Sequence, residues 1–187
     1  MIEATLLLLA GGASRRMDSP KALLPVAGTT LVGWQVDRLG SHFREVIVAA
    51  ADPAFVPAGA RWARDTHGPL MGPLAGIEAG LFNAGHDAVF TLACDMPRVD
   101  VALAERLVAL SEGFDAAVPR LEGRPEPVCA CYRRSALSTI ARELDLVHLK
   151  AADALTKLRV AWLEETDPAL FWNINTPEDY QVFLSEL

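Results

Sequence analysis

Continuous apolar runs alternate with segments of helical periodicity along this chain. Runs such as "TLLLLA" at 5–10 and "AVFTLA" at 88–93 stay uncharged at successive positions instead of alternating with polar residues. This pattern is typical of strands that are covered on both faces, as in parallel sheets. The apolar runs predict strands at 4–10, 45–50, 60–64, 88–94, 115–119, 127–132 and 158–163.

The segments between these strands have the spacing of amphipathic helices. They predict helices near 29–40, 73–85, 100–112, 135–145, 150–157 and 176–186. The last helix has a strong start signal, with Thr176 as N-cap, Pro177 in the first turn and two acidic residues after it. Asp100 is the corresponding N-cap for the helix of "VDVALAERLVAL".

The alternation of strands and helices predicts an α/β fold. We expect a doubly wound, mostly parallel sheet with helices on both faces. One segment differs, because "AVPRLEGRPEPVCACY" at 117–132 places two apolar runs around a polar turn and predicts a small antiparallel excursion. The sequence contains no repeat and no linker-like stretch, so we expect residues 1–187 to form a single domain.

Composition and charge exclude several classes of protein. Hydrophobic residues make up 51% of the chain and charged residues 22%, as in folded globular proteins. The formal net charge of −7 argues against a basic face for nucleic acid. Cys129 and Cys131 lie two apart and would share one face of a strand, so they suit a core better than a disulfide bridge or a zinc site.

The apolar run near the start of the chain predicts neither a membrane span nor a signal peptide. It is shorter than the ~20 residues that a bilayer requires. Glu3 stands where a signal peptide would carry positive charge, and Arg15 and Arg16 follow the apolar run instead of preceding it. We therefore expect a cytoplasmic protein without membrane contact.

The segment "LLLLAGGASRRM" at 6–17 predicts a phosphate-binding loop at a strand end. Gly11 and Gly12 let a ligand approach backbone N–H groups, and Arg15, Arg16 and Lys21 add positive charge. A glycine turn with solvated arginines is the simpler alternative. The loop is neither a Walker A motif nor a G-x-G-x-x-G dinucleotide fingerprint, because the required glycine and hydroxyl positions are missing.

Five stretches of this sequence together resemble a known family. "LLAGGASRRMDSPKALLPVAGTTLVGW" resembles the signature of nucleotidyltransferases with the glycosyltransferase-A-like fold. With "GPLAGIEAGL", "ACDMP", "EPVCACYRRSAL" and "NINTPEDY", the chain resembles the molybdenum cofactor guanylyltransferases over nearly its whole length. The resemblance implies an enzyme that transfers GMP from GTP to the terminal phosphate of molybdopterin, with or without its metal, and releases pyrophosphate.

The resemblance also assigns roles to individual residues. Lys21 would neutralise the triphosphate, and Arg15 would stabilise the charge that develops during transfer, so both are predicted to be catalytic. One departure from the family pattern is Asp18, which follows Arg-Met where relatives have glycine. The nucleotide-binding residues that the resemblance implies are Leu9, Ala10, Gly11, Gly12, Ser14, Arg15, Lys21, Asp65 and Gly76.

Asp95 is the candidate ligand for Mg²⁺ and the third predicted catalytic residue. It directly follows the apolar run "AVFTLA" and Cys94, and Mg²⁺ sites commonly use only one or two carboxylates. Its alternative role is to cap the next turn. His67 is a further loop residue, but a phosphate nucleophile with a second pKa of ~6 requires no general base.

Two other stretches are candidates for ligand contact. The run "GPLMGPLAGIEAGL" at 68–81 would point a helix N-terminus and the N–H groups of 72–76 at an anion, or would only allow close helix packing. Asn173 and Asn175 have the two-residue period of a strand and would present amides to one side. Amides suit a pterin, so both are predicted to bind the acceptor, although they could equally hold a turn.

The function has two alternatives. A cytidylyltransferase acting on the same cofactor is the nearest one, but the chain reads "LAGG" at 9–12, and the missing Cβ of Gly12 leaves space for a purine. A non-catalytic nucleotide- or cofactor-binding protein could dispense with Lys21 or Asp95, and both are present. The expected partners are GTP, molybdopterin and, transiently, proteins of cofactor synthesis or molybdoenzyme maturation.

Overall fold

The computed structural model describes residues 1–11, 20–64, 71–165 and 167–187. Its strands are β1 Ile2–Leu9, β2 Pro25–Val26, β3 Thr29–Thr30, β4 Phe43–Ala50, β5 Arg61–Arg64, β6 Ala88–Ala93, β7 Ala116–Leu121, β8 Arg124–Pro125, β9 Cys129–Arg133 and β10 Val160–Glu165. Its α-helices are α1 Leu31–Leu39, α2 Gly72–Asn83, α3 Val101–Leu110, α4 Leu137–Asp145, α5 Ala151–Ala154 and α6 Pro177–Ser185. Every strand and helix predicted above has a counterpart here.

The main sheet is mostly parallel, as predicted. Its strand order is β10-β7-β9-β6-β1-β4-β5, and β1 pairs in parallel with both β4 and β6. β9 runs antiparallel to β6 and β7. The antiparallel direction starts at Glu122 and Gly123, whose φ values of 52° and 77° form a tight hairpin turn that leads from β7 into β8. The predicted excursion at 117–132 is therefore confirmed.

Helices cover both faces of the sheet. One buried cluster contains side chains of α1 and α3, and a second contains side chains of α2, α4 and α5. β1 contributes to both clusters, because Leu6 and Leu8 face one side and Leu7 and Leu9 face the other. Its uninterrupted apolar sequence follows from this burial on two faces. None of the described helices is long and apolar enough to cross a membrane.

The start of α1 is the main departure from the predicted elements. The helix predicted over 29–40 begins at Leu31, because residues 29 and 30 form β3 and pair with β2 as a two-stranded antiparallel sheet. Ala27 and Gly28, with φ values of 46° and 86°, make the turn between these strands. Thr30 then caps α1 by accepting a hydrogen bond from the N–H of Gly33. This hairpin packs with α6 in a third cluster.

Candidate active site

Three predicted site residues from distant parts of the sequence meet beyond the carboxyl ends of β1 and β6. The ammonium nitrogen of Lys21 lies 2.8 Å from Oδ2 of Asp95. The same nitrogen donates to Oδ1 of Asn175, also at 2.8 Å. A cation, a carboxylate and an amide are therefore in direct contact where ligands bind in open α/β sheets.

Asp95 reaches this position because β1 and β6 end at the same level. Leu9 is paired in register with Ala93, the last residue of β6. The N–H of Cys94 then donates to the carbonyl of Leu9 at 3.2 Å, so the residue that follows β6 stays next to the end of β1. The Asp95 side chain is 21% exposed, which leaves it accessible to a ligand.

Asn175 is held by the cap of α6. Thr176 accepts a hydrogen bond from the N–H of Asp179, and the Asp179 carboxylate accepts from the N–H groups of Thr176 and Asn175. These bonds form a capping box, and Pro177 occupies the first turn. The helix start predicted from "TPED" is confirmed, and the Asn175 side chain extends from this fixed backbone to Lys21.

Ile174 anchors the segment that carries both asparagines. Its side chain is buried in the cluster around α6, and its N–H donates to the carbonyl of Asp95 at 2.9 Å. Asn173 and Asn175 are more exposed than Ile174, in agreement with the alternation predicted from the sequence, although no strand is assigned at these residues. Asn173 donates its side-chain amide to the carbonyl of Phe171 at 2.8 Å.

A cavity of about 300 Å³ opens at the same edge of the sheet. It contains most of the predicted site residues that lie in the described part of the chain. Its lining residues are Leu9, Ala10, Gly11, Pro20, Lys21, Ala22, Pro73, Ala93, Cys94, Asp95, Val128 and Asn173. The wall is otherwise apolar, but it presents backbone next to a glycine, one lysine, one carboxylate and one amide. Together these groups can bind a phosphorylated ligand.

Gly76 lies within α2 and not at the N-terminus of that helix. A Cβ at this position would come within 2.9 Å of the Cδ2 atom of Leu9 and 3.5 Å of the Cβ atom of Ala49, so the glycine allows α2 to pack closely on β1 and β4. Pro73, in the first turn of α2, reaches the cavity wall. The nucleotide contact of Gly76 stays a prediction.

Several predicted residues lie outside the described parts of the chain. They are Gly12, Ser14, Arg15 and Asp65, together with Arg16, Asp18 and His67. Gly11 and Pro20 border the first of these segments, and both line the cavity. The roles assigned to these residues stay predictions from the sequence.

The carboxylate oxygens of Asp95 are suitable ligands for a hard divalent cation. Within the described residues, no group of three or more His, Cys, Asp or Glu side chains converges on one point, so a metal here would use Asp95 with phosphate and water oxygens. Among the described residues, the hydrogen bond from Lys21 goes to Oδ2 of Asp95, and Oδ1 accepts none. This donor set suits Mg²⁺ bound together with a nucleotide, better than zinc, which uses nitrogen and sulfur ligands.

The three cysteines are buried thiols. Cys129 and Cys131 are fully buried on the same face of the sheet, as predicted. Burial raises the pKa of the Cys131 thiol to about 11 and that of Cys94 to about 12, and the neighbouring Asp95 carboxylate also raises the latter. Cys94 therefore contributes a neutral wall to the cavity and not a thiolate.

Sequence reasoning missed Pro73 and Val128 as cavity residues, although both lie in stretches that carry the family resemblance. It also missed Gln35, which is fully buried in α1 and donates to the carbonyl of Met96 at 3.1 Å. The available signal was a glutamine among the apolar positions of a predicted helix. Its partners cannot be read from the sequence.

The fold and this cluster define an α/β protein with a candidate site for a phosphorylated ligand at the carboxyl edge of its sheet. Residues 6–167 match the family model of the MobA-like NTP transferase domain. A probable molybdenum cofactor guanylyltransferase of Pelotomaculum thermopropionicum is 34% identical, with 96% of this chain and 91% of that protein covered. The molybdenum cofactor guanylyltransferase of Cereibacter sphaeroides is 36% identical, with 92% of this chain and 91% of that protein covered.

A solved structure supports the same assignment. The molybdopterin-guanine dinucleotide biosynthesis protein A of Archaeoglobus fulgidus has a TM-score of 0.82 and 26% identity, and the match covers 98% of this chain and 100% of that one. The chain therefore belongs to the MobA-like nucleotidyltransferases and, among them, to the molybdenum cofactor guanylyltransferase family. The resemblance stated from the sequence is confirmed.

Proposed function

We propose that this protein transfers GMP from GTP to the terminal phosphate of molybdopterin, with or without its metal. An oxygen of the pterin phosphate bonds to the α-phosphorus of GTP, the bond from that phosphorus to the bridging β-phosphate oxygen breaks, and pyrophosphate leaves. The observation that carries the proposal is the contact of Lys21 with both Asp95 and Asn175 at one cavity. Membership of the guanylyltransferase family supports GTP as donor.

The nucleophile explains why the described part of the cavity needs no base. A phosphate monoester has a second pKa of ~6 and is mostly dianionic at neutral pH. The difficulty of the reaction is the approach of two anions, so positioning and charge neutralisation supply most of the catalysis. Lys21, which lines the cavity, provides positive charge for the triphosphate and the leaving pyrophosphate.

Asp95 would hold Mg²⁺ in this proposal. When bound, the ion would neutralise charge on the phosphate oxygens. The carboxylate suits this role because Asp95 lines the cavity, its carbonyl accepts a hydrogen bond from Ile174, and the neighbouring Cys94 is bonded to β1. Lys21 contacts both this carboxylate and the side chain of Asn175. These two contacts would keep Asp95 and Asn175 at a fixed distance from each other while the anionic substrates bind.

Asn173 and Asn175 would bind the acceptor. Both lie on the chain segment that precedes α6, where Asn175 contacts Lys21 and Asn173 lines the cavity. Their amides can match the donors and acceptors of a pterin. Arg15, Ser14, Gly12 and Asp65 keep the donor-side roles that the resemblance implies.

The test combines nucleotide binding with turnover. Calorimetry with GTP, CTP and ATP in Mg²⁺ is followed by an assay of GMP incorporation into molybdopterin, and by removal and return of Mg²⁺ with a chelator. Lys21→Met should weaken GTP binding ~10-fold or more through loss of a charge-assisted contact. Lys157→Met is the matched control, because Lys157 is exposed and lies before β10, away from the cavity.

Three results would contradict the proposal. Preference for CTP in binding and turnover would replace guanylyl transfer by cytidylyl transfer. Nucleotide binding without turnover of molybdopterin would indicate a carrier and not a transferase. Full turnover after complete removal of divalent metal would eliminate the role given to Asp95.

A further inference from the structure

The turn that carries Asp95 is tied to its surroundings through the backbone. Met96 donates its N–H to the carbonyl of Ala93 at 3.1 Å, which closes the turn. The N–H of Cys94 donates to β1, and the carbonyl of Asp95 accepts from Ile174 at 2.9 Å. Two carbonyls remain, those of Cys94 and Met96, which flank Asp95 on either side.

Gln35 supplies the donors for these two carbonyls. Its side chain is fully buried in α1, and Nε2 donates to Met96 at 3.1 Å and to Cys94 at 3.5 Å. A primary amide carries two N–H donors, one for each carbonyl. The backbone on both sides of Asp95 is thus bonded to one side chain of α1.

Arg38 fixes the orientation of this amide. One turn further along α1, its Nη2 donates to Oε1 of Gln35 and to the carbonyl of Val99, each at 2.7 Å. Its guanidinium also lies 4.9 Å from the ring centroid of Trp34. Because the amide oxygen is taken by Arg38, the amide nitrogen must face the Asp95 turn.

We propose that Gln35 is a positioning residue for nucleotidyl transfer, which holds the Asp95 carboxylate in place by bonding the two carbonyls that flank it. The inference rests on the proposed function. A displacement of about 1 Å in a catalytic group can cost ~100-fold in rate, so the position of this turn matters for turnover. An apolar side chain in place of Gln35 would leave two buried carbonyls without their donor, and the turn would shift to find others.

A purely structural role for Gln35 makes a different prediction. In that case its loss would lower the stability of the fold, but the folded protein would keep its turnover and its dependence on Mg²⁺. The two roles are therefore separated by measurements on the folded protein, at a temperature where every variant is native.

The experiment uses two variants of Gln35 and one control. Gln35→Met keeps the length of the side chain and removes its polar groups, whereas Gln35→Glu keeps an acceptor for Arg38 and removes the donor. The control is Ser111→Ala, because Ser111 is also fully buried and hydrogen-bonded, to Val108 at 2.7 Å and Arg133 at 2.9 Å, but is not part of the cavity.

Both Gln35 variants should lower kcat at saturating GTP by about 10- to 100-fold and raise the Mg²⁺ concentration for half-maximal rate. Amide exchange at Ile174 should become faster, since this N–H bonds to the carbonyl of Asp95. Ser111→Ala should leave kcat, the Mg²⁺ requirement and the exchange rate at Ile174 unchanged, even if it lowers the melting temperature as much as the Gln35 variants do.

The proposal is overturned if Gln35→Met keeps either the wild-type kcat or the wild-type exchange rate at Ile174, because it requires both to change. It is also overturned if Gln35→Glu behaves as wild type, because the donor would then be dispensable. A wild-type protein without guanylyl transfer would defeat the proposed function separately. Exchange at Ile174 in the Gln35 variants would still show whether the Asp95 turn depends on Gln35.

Discussion

Lys21 and Asp95 form an ion pair of 2.8 Å although 74 positions separate them in the sequence. Both side chains are about one-fifth exposed, so the pair lies at the edge of the cavity and not in the core. Lys21 extends the contact to Asn175, on the segment before α6. Lys21 therefore contacts both Asp95, which we assign to the nucleotide, and Asn175, which we assign to the pterin.

The first prediction concerns the charge of Asp95. Asp95→Asn should lower guanylyl transfer about 100-fold or more at saturating GTP, because the amide cannot provide the negative charge that a metal ion requires. Asp87→Asn is the matched control. It makes the same charge change at the opposite end of β6, where Asp87 bonds Arg133 at 3.0 Å, and should keep turnover within about 2-fold of wild type.

Circular dichroism and thermal unfolding would show that both variants are folded. If Asp95→Asn kept wild-type turnover at saturating Mg²⁺, Asp95 would have no part in the mechanism. If both variants lost activity equally, the effect would be one of overall charge and not of this site.

The sequence predicts the sheet and the strand-end position of Asp95 because both depend on local patterns. Buried strands of a parallel sheet are apolar throughout, and the chain after each strand emerges at the same edge. The β2–β3 hairpin escaped prediction, because its strands contain two residues each and Ala27, not glycine or asparagine, adopts a positive φ. Helical periodicity from residue 29 onwards concealed its second strand.

Contacts between distant segments were less accessible to sequence reasoning. The bond from Lys21 to Asn175 joins residues 154 positions apart and depends on the packing of α6 against the hairpin. The resemblance to a family indicated that both residues belong to the site, but not that they touch. No sequence motif marks Gln35, because its proposed role depends on the two carbonyls that it contacts only in the folded protein.

The second prediction separates acceptor binding from donor binding. Asn175→Ala should raise KM for molybdopterin about 10-fold and change KM for GTP by less than about 3-fold, because one polar contact is lost on the acceptor side. The α6 cap should persist, since it uses the backbone N–H of Asn175 and not its side chain. Asn83→Ala at the end of α2 removes a side-chain bond to Ala79 and is the control. A larger rise in KM for GTP than for molybdopterin would place Asn175 on the donor side.

The third prediction compares two glycines of α2. A Cβ at Gly80 would lie 2.8 Å from Cγ of the buried Leu7, so Gly80→Ala should destabilise the fold by about 1–3 kcal/mol despite the better helix propensity of alanine. At Gly76 the nearest atom is the flexible Cδ2 of Leu9 at 2.9 Å, so Gly76→Ala should cost less.

Urea unfolding and GTP calorimetry on the same variants test this comparison. A nucleotide contact at Gly76 requires that Gly76→Ala weaken GTP binding by more than Gly80→Ala does. Equal GTP affinity in Gly76→Ala and wild type would leave Gly76 with a packing role alone.

The fourth prediction is an acid-sensitive contribution to stability from Asp115. The hydrogen bond from the Arg159 side chain, with further bonds from the Arg159 N–H and the Ser135 hydroxyl, lowers the pKa of Asp115 to about 2. Because this folded-state pKa lies below the ~3.9 of an unfolded aspartate, the carboxylate stabilises the fold above about pH 4. That stabilisation is lost as the pH falls towards 2.

Asp115→Asn should therefore lower the free energy of unfolding by about 1–2 kcal/mol at pH 7, a value reduced from the full shift because solvent screens the exposed Arg159. Asp145→Asn, at the exposed end of α4, should have little effect. Urea unfolding at several pH values would show the wild type and Asp115→Asn converging between about pH 4 and pH 2, since protonation removes the charge that the variant lacks. A difference that stayed constant down to pH 2 would mean that Asp115 stabilises the fold by packing and neutral hydrogen bonds instead of by its ionised carboxylate.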